Sequence, residues 1–290
     1  MDSIFLLRAY GDCIIALTSM RNSPRMSSVE LILSNHLEPL YHALPQEKLP
    51  AGLRLRFHDF GIKKGLMRCF TTKYLLHTDT VLELRALQEY IKMTKKENSE
   101  FNTMFLENKK RAWLAEAITG NRFGYIIDEE NVYDAYNRFF QTHITEDPAV
   151  FNSQTPGLHV LLIPDARMKN KSIDPQLTEK IHHSFAVAGS TVTTAFFREA
   201  PVGFKNKSIV YRDFQELVNC INKADLIIGA DSMPVHLCQF LEKPHYMLYP
   251  GHIRRYKRKQ FFTPFVLRNG YYYSFEELHQ RSSFFPNSTA

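Results

Sequence analysis

The stretch Ala224-Asp225-Leu226-Ile227-Ile228-Gly229-Ala230-Asp231-Ser232-Met233-Pro234-Val235-His236-Leu237 constrains the fold more than any other part of the chain. Leu226 to Ile228 form a short run without polar interruption, so the strand they predict is buried on both faces. A parallel sheet covered by helices on both sides is the architecture that buries such strands. Gly229 to Ser232 turn the run into a helix start, where Asp231 or Ser232 can cap and Pro234 loses no intrahelical hydrogen bond. The same succession recurs along the chain. Ile4 to Leu7 predict a strand, Arg8 to Asp12 a turn in which Gly11 supplies backbone freedom, and Cys13 to Met20 a helix. Leu158 to Ile163 lie between Gly157 and Pro164, Thr191 to Phe197 are β-branched and aromatic, and Tyr246 to Tyr249 end at Pro250-Gly251. Asp213 with Glu216 opens a helix faced by Phe214, Leu217, Val218 and Ile221. The expectation is an α/β protein with doubly wound parallel sheets.

Val29 to Leu33 and Leu53 to Phe57 supply further strands of the first half, and Val81 to Ile91 a helix. Lys92 to Arg111 read as a charged surface excursion, Tyr125 to Asp128 as a strand and Val132 to Phe140 as a helix. The polar, proline-punctuated stretch 145–157 marks a boundary. It divides the 290 residues into an N-terminal domain 1–150, a second domain 151–270 and a closing segment 271–290, where Tyr271 to Tyr273 would pack against a final helix. A hydrophobic share of 44% excludes a disordered or fibrous chain. Cys13, Cys69, Cys220 and Cys238 are too scattered for a disulfide scaffold or a cysteine zinc site. No apolar stretch approaches the ~20 residues of a spanning helix, and Asp2 stands where a signal peptide is positive. A cytoplasmic protein is expected, and its net charge of +6 favours anionic partners.

Loops at the C-terminal ends of parallel strands line the ligand crevice of such sheets. Three groups fall there: Arg8, Gly11 and Asp12; Asp165, Arg167, Lys169 and Lys171; and Asp231, Ser232 and His236. Ser232 to Val235 open a helix whose amides and dipole suit a phosphate, with Arg167 or Lys171 to complete the seat. Plainer roles exist for each: Asp12 as a helix cap, His236 as a core histidine, and Lys63, Lys64 and the Arg167 to Lys171 cations as solvated loops. The run Arg254, Arg255, Lys257, Arg258 and Lys259 around Tyr256 reads as solvated surface or as a contact to anionic headgroups. It sits in no nucleic-acid module, so nucleic acid is not an expected partner. No G-x-G-x-x-G follows a predicted strand, which disfavours a nicotinamide oxidoreductase.

The opening Leu7-Arg8-Ala9-Tyr10-Gly11-Asp12 resembles the R-x-x-G-D start of the heptosyltransferase-like glycosyltransferases of family 9. The segment from Ala224 to Leu237 is similar to their A-D-L-V-V-G-N-D-T-G-P-M-H-L stretch. Between these, Val29 to Leu33 with Pro39-Leu40 resemble the second strand and helix, and His58 to Lys64 a D-L-x-G-x-x-K loop. Val132 to Tyr136 resemble an H-x-x-D-R-Y stretch, and Lys171 to Pro175 a K-R-W-P segment.

The resemblance implies a GT-B fold: two Rossmann-like domains with parallel sheets facing across a cleft, acceptor on the N-terminal side and nucleotide sugar on the C-terminal side. It implies an inverting glycosyltransferase with neither metal nor cofactor, its donor a nucleotide sugar such as ADP-heptose. The acceptor would be a saccharide or lipid-linked molecule at the inner face of the cytoplasmic membrane, as in lipopolysaccharide biosynthesis, with peripheral contact to that anionic surface. By resemblance Asp12 is the general base, Arg8, Gly11 and Lys64 meet the acceptor, and Arg167, Lys171, Asp231, Ser232, Met233 and His236 hold the donor. Met233 stands where the family has glycine, which also admits an inactive protein that only binds nucleotides or glycans.

Overall fold

The computed structural model describes residues 1–7, 9–61, 78–96, 103–128, 132–142, 157–167, 169–204, 208–250 and 270–274. The chain divides into two compact units, Met1–His143 and Ile144–Ala290. The dividing point is a few residues before the boundary expected from composition.

The N-terminal unit is built from β1 (Asp2–Leu6), α1 (Tyr10–Met20), β2 (Val29–Ser34), α2 (Glu38–Ala43), β3 (Arg54–His58), α3 (Thr78–Lys96), β4 (Met104–Asn108), α4 (Lys109–Thr119), β5 (Gly124–Ile127) and α5 (Val132–Phe140). Its five strands are ordered β3-β2-β1-β4-β5 and every neighbouring pair is parallel. In the central strand β1, Ile4, Phe5 and Leu6 are fully buried, as an apolar run between two helical layers must be. Phe5 meets Phe60, Tyr90 and Phe123 edge to face at 6.0–6.5 Å, tying the sheet to α3 and α4. On the other side α1 packs with α5. Ser23 and Arg25 donate to the carbonyls of Phe140 and Phe139 at 2.6 and 2.7 Å, and so hold the end of α5.

The expected surface excursion over 92–111 is a correction. That segment contains the end of α3, all of β4 beside the central strand, and the start of α4. Met104-Phe105-Leu106 is a short strand hidden among charges, and the acid of that strand, Glu107, is buried and pairs with Arg111 in the first turn of α4. The helix at the N-terminus also starts earlier than expected. It begins at Tyr10, so Gly11 and Asp12 are helical and Gly11 uses none of its special freedom.

The C-terminal unit contains β6 (His159–Ile163), α6 (Pro175–Val187), β7 (Thr191–Phe197), β8 (Ser208–Tyr211), α7 (Phe214–Lys223), β9 (Leu226–Ala230), α8 (Met233–Phe240), β10 (His245–Tyr249) and β11 (Gly270–Ser274). The order of its six strands is β11-β10-β9-β6-β7-β8, again all parallel. Helix caps follow the sequence. Asp174 accepts from the Leu177 amide and Asp213 from the Glu216 amide, both at 2.8 Å, while Glu216 reaches back to the Arg212 amide at 2.6 Å. Two strands escape the sequence pattern. Edge strand β8 is four residues long with Ile209 and Val210 exposed. Tyr271 to Tyr273 pair in β11 along β10, not against a closing helix, so a boundary at 270 cuts a strand.

Candidate functional site

In the C-terminal unit the chain runs from β6 outward through β7 and β8, then returns to add β9, β10 and β11 on the other side. The strand order therefore reverses between β6 and β9, the place where open parallel sheets form their ligand crevice. Gly229 lets α8 close down on this place. A Cβ there would stand 2.7 Å from Val235 Cγ2 and 3.3 Å from the Ile163 carbonyl.

Lys171, in a 3-10 turn over Lys169–Lys171 after β6, crosses to Asp231 after β9, its Nζ 2.6 Å from Oδ2. His236, one turn into α8, brings Nε2 to 3.7 Å from the other carboxylate oxygen. Side-chain exposures of 15% for Lys171, 6% for Asp231 and 10% for His236 place the group under the surface with the lysine nearest to water. Ser232 Oγ lies 3.3 Å from the carbonyls of both Asp165 and Ala230. The loop between β6 and α6 is closed by bonds from the Ile173 amide to Pro164 and from the Ala166 amide to Ser172 Oγ. Half-burial at its start raises the Asp165 carboxyl above the usual carboxylate range.

Of the predicted donor residues, the structure thus brings together Lys171, Asp231, Ser232 and His236. Arg167 is exposed in the same loop and Met233 is half-buried at the first position of α8. Two expectations change. Lys171 already neutralises a buried carboxylate, so it is not an uncommitted cation. The anion seat is also narrower than Ser232 to Val235. Pro234 has no N–H and the Val235 amide donates to the Ser232 carbonyl at 3.2 Å, which leaves the Ser232 and Met233 amides as the donors to an anion.

The strand order of the N-terminal unit reverses between β1 and β4. Asp12 follows β1 in the first turn of α1, partly exposed. Ala9 is the cap position, so Asp12 is not the helix cap that the plainer reading made it, although its charge suits the helix N-terminus. Its charge also marks its surroundings. Burial first, and Asp12 second, push the Cys13 thiol up to about 12 and raise the buried Tyr136 phenol. Tyr136 also feels the Arg111 guanidinium, which pairs with Glu107. Tyr10 donates to the His36 carbonyl at 3.2 Å. Arg8 and Lys64, the other predicted acceptor residues, lie outside the described residues, as do Lys63 and the 254–259 basic run. His58 and Asp59 end the edge strand β3. His58 packs on Phe60 and Tyr90 and its pKa is lowered by burial, while Asp59 closes a turn on the Gly61 amide.

Sequence reasoning missed the pairing of Glu107 with Arg111, and named Tyr136 only within the stretch that resembles H-x-x-D-R-Y. Among the described residues no three His, Cys, Asp or Glu side chains are placed to hold a metal, and no helix is long and apolar enough to cross a membrane.

No family model matches the sequence, and no curated protein matches it. Solved structures share its fold. The glycosyl transferase family 9 protein of Veillonella parvula DSM 2008 aligns with a TM-score of 0.60 over 94% of this chain and 88% of its own, at 12% identity. The chain has the fold of glycosyltransferase family 9. E. coli heptosyltransferase WaaC, solved with ADP, gives 0.55 over 94% and 93% at 10% identity. E. coli ADP-heptose lps heptosyltransferase II gives 0.53 over 94% and 90% at 11% identity. In this family 9, GT-B-like fold, Lys171 with Asp231 and the first turn of α1 are the polar groups that this chain places at its two points of strand reversal.

Proposed function

We propose that the protein is a glycosyltransferase that moves a sugar from a nucleoside diphosphate to a saccharide or lipid-linked acceptor. The observation that carries this reading is the Lys171–Asp231–His236 group beside the N-terminus of α8, at the reversal point of the C-terminal sheet. A diphosphate set there receives the Ser232 and Met233 amides, the helix dipole and the exposed guanidinium of Arg167. Asp231, held between Lys171 and His236, fixes the turn that carries those amides. Because the E. coli WaaC structures carry ADP and an ADP-2-deoxy-2-fluoro heptose, ADP-heptose is the donor to test first.

In this scheme Asp12 takes the proton of the acceptor hydroxyl as its oxygen attacks the anomeric carbon. The bond from that carbon to the diphosphate oxygen breaks, the centre inverts, and the charge growing on the leaving phosphate is met by the amides of α8. No step is assigned to a metal. Asp12→Asn should lower turnover by about 10³-fold or more, within the range for loss of a general base, while ADP affinity changes less than about twofold. Wild-type turnover in that variant removes Asp12 from the mechanism.

A second reading, a catalytically silent nucleotide or glycan binder, is favoured by Met233 in the family's glycine position. Thermal shifts with a panel of nucleotide sugars, followed by assay for released nucleoside diphosphate, separate the two. A binder shifts and releases nothing.

A further inference from the structure

The two sheets leave their edges in different states. In the N-terminal unit β3 carries Arg54 and Arg56 exposed, and Lys109 Nζ stands 5.7 Å above the ring of Tyr125 on β5, so both edges bear charge of the kind that keeps a strand from pairing further. The C-terminal sheet ends on one side at β8, Ser208-Ile209-Val210-Tyr211, which has no charged residue. Ile209 and Val210 are 38% and 39% exposed and, as consecutive residues of a strand, face opposite sides of the sheet. A partner laid flat on one side would cover only one of them. A strand laid along the edge covers both.

The backbone specifies the register of such a strand. Tyr211 is aligned with Phe197 on β7, and its carbonyl accepts from the Arg198 amide, so Tyr211 turns its backbone groups toward β7. Alternation along the strand then turns those of Ile209 the same way and those of Ser208 and Val210 outward. We propose that β8 pairs antiparallel with β8 of a second copy of this chain, about a two-fold axis at Val210. The two Val210 residues exchange N–H···O=C bonds, and Ile209 of each copy stands opposite Tyr211 of the other, a β-branched side chain against an aromatic one. Phe197, 45% exposed with its ring 5.5 Å from that of Tyr211, extends the apolar surface on this side. The strand is its own complement. Pairing sets no like charges of β8 in opposition and uses the same four residues of each copy, as a closed two-fold contact requires. This pairing holds whether or not the chain transfers a sugar.

Sedimentation velocity of the full chain should show monomer passing to dimer as the concentration rises. Val210→Pro withdraws an N–H that points outward and removes no bond to β7, so in dilute solution its melting temperature should match that of the unaltered chain, while dimerisation weakens about tenfold or more. Ile209→Lys, an exposed change that leaves every backbone bond in place, should weaken it as well. Cross-linking reads the register. Opposed Val210 residues stand about 5.5 Å apart at Cα, within disulfide reach, so Val210→Cys under mild oxidation should give a covalent dimer. Ile209→Cys, whose two copies are displaced along the strands, should give no more than the unaltered chain. A chain that stays monomeric throughout the series overturns the proposal. So does a dimer that both Val210→Pro and Ile209→Lys leave intact, or cross-linking as strong through Ile209→Cys as through Val210→Cys.

Discussion

Among the described residues, each unit sets an ion pair with a buried carboxylate near its strand ends, and the two are built differently. In the N-terminal unit Glu107 and Arg111 belong to consecutive elements and neutralise one another within the layer between sheet and helix. In the C-terminal unit Lys171 and Asp231 come from loops after two different strands and meet across the point of reversal, with the lysine the more exposed partner and His236 beside the other carboxylate oxygen. The first arrangement is closed to a ligand and serves to seat β4 beside the central strand. The second lies at the strand reversal, where open α/β sheets bind their ligands. The difference teaches that burial of charge does not itself mark a site. What marks it is charge shared between loops that the topology parts.

The comparison breaks most visibly when one partner of a pair is removed. Glu107→Ala removes the carboxylate paired with the mostly buried Arg111 and should destabilise the N-terminal unit by about 3–5 kcal/mol, whereas Glu107→Leu with Arg111→Met should restore much of that. Thermal unfolding of both variants checks this, with nucleotide affinity unchanged in the double variant. The equivalent double change at Lys171 and Asp231 should keep the fold and lose nucleotide binding. Retained affinity there would remove the functional distinction between the pairs.

Acid provides the next largest effect. Burial holds His245 neutral and lowers its pKa from 6.5 to about 4. Between those values the unfolded chain takes up a proton that the folded unit refuses, so stability is full above pH 6.5 and falls as the pH approaches 4, by about 3 kcal/mol at most. Hydrogen exchange should show the C-terminal unit loosening first, and His245→Phe should flatten its profile.

Gly229→Ala, which sets a methyl group against Val235 and the Ile163 carbonyl, should cost about 1–3 kcal/mol and weaken nucleotide binding as α8 is pushed away. Val235→Ala in the same chain should recover part of both losses. The smallest effect is that of a cap remote from either pair. Asp213→Ala should cost about 1 kcal/mol in a thermal melt and leave nucleotide affinity alone.

The C-terminal sheet was readable at its centre because β6, β9 and β10 are largely apolar and its helices carry strong start signals at Asp174, Asp213 and Ser232-Met233-Pro234. The Asp231 turn was legible for the same reason. The pairing of Lys171 with Asp231 was not, since sixty residues separate them and only the crossover order makes them neighbours. In the N-terminal half β4 vanished into its charged flanks, because periodicity counts Glu107 and Arg111 as two solvated groups when each is the other's cover. The start of α1 was misjudged through Gly11, whose presence suggests a turn although Tyr10 already opens the helix. The short edge strand β8 offers no alternation to detect, since both of its middle residues face water.

The position of β1 has a consequence for how this molecule is made. Its outer neighbour β2 leaves the ribosome soon after it, but the strand that closes its other side, joined by Ser3 opposite Met104 and the Ser3 amide on the Thr103 carbonyl, arrives only after two more helices and another strand. Until then an apolar strand stands with one row of hydrogen-bonding groups unmatched, open to any extended segment that passes. Fragments that stop before Met104 should therefore clump, not fold, and the nascent chain is a natural client for chaperones over that interval.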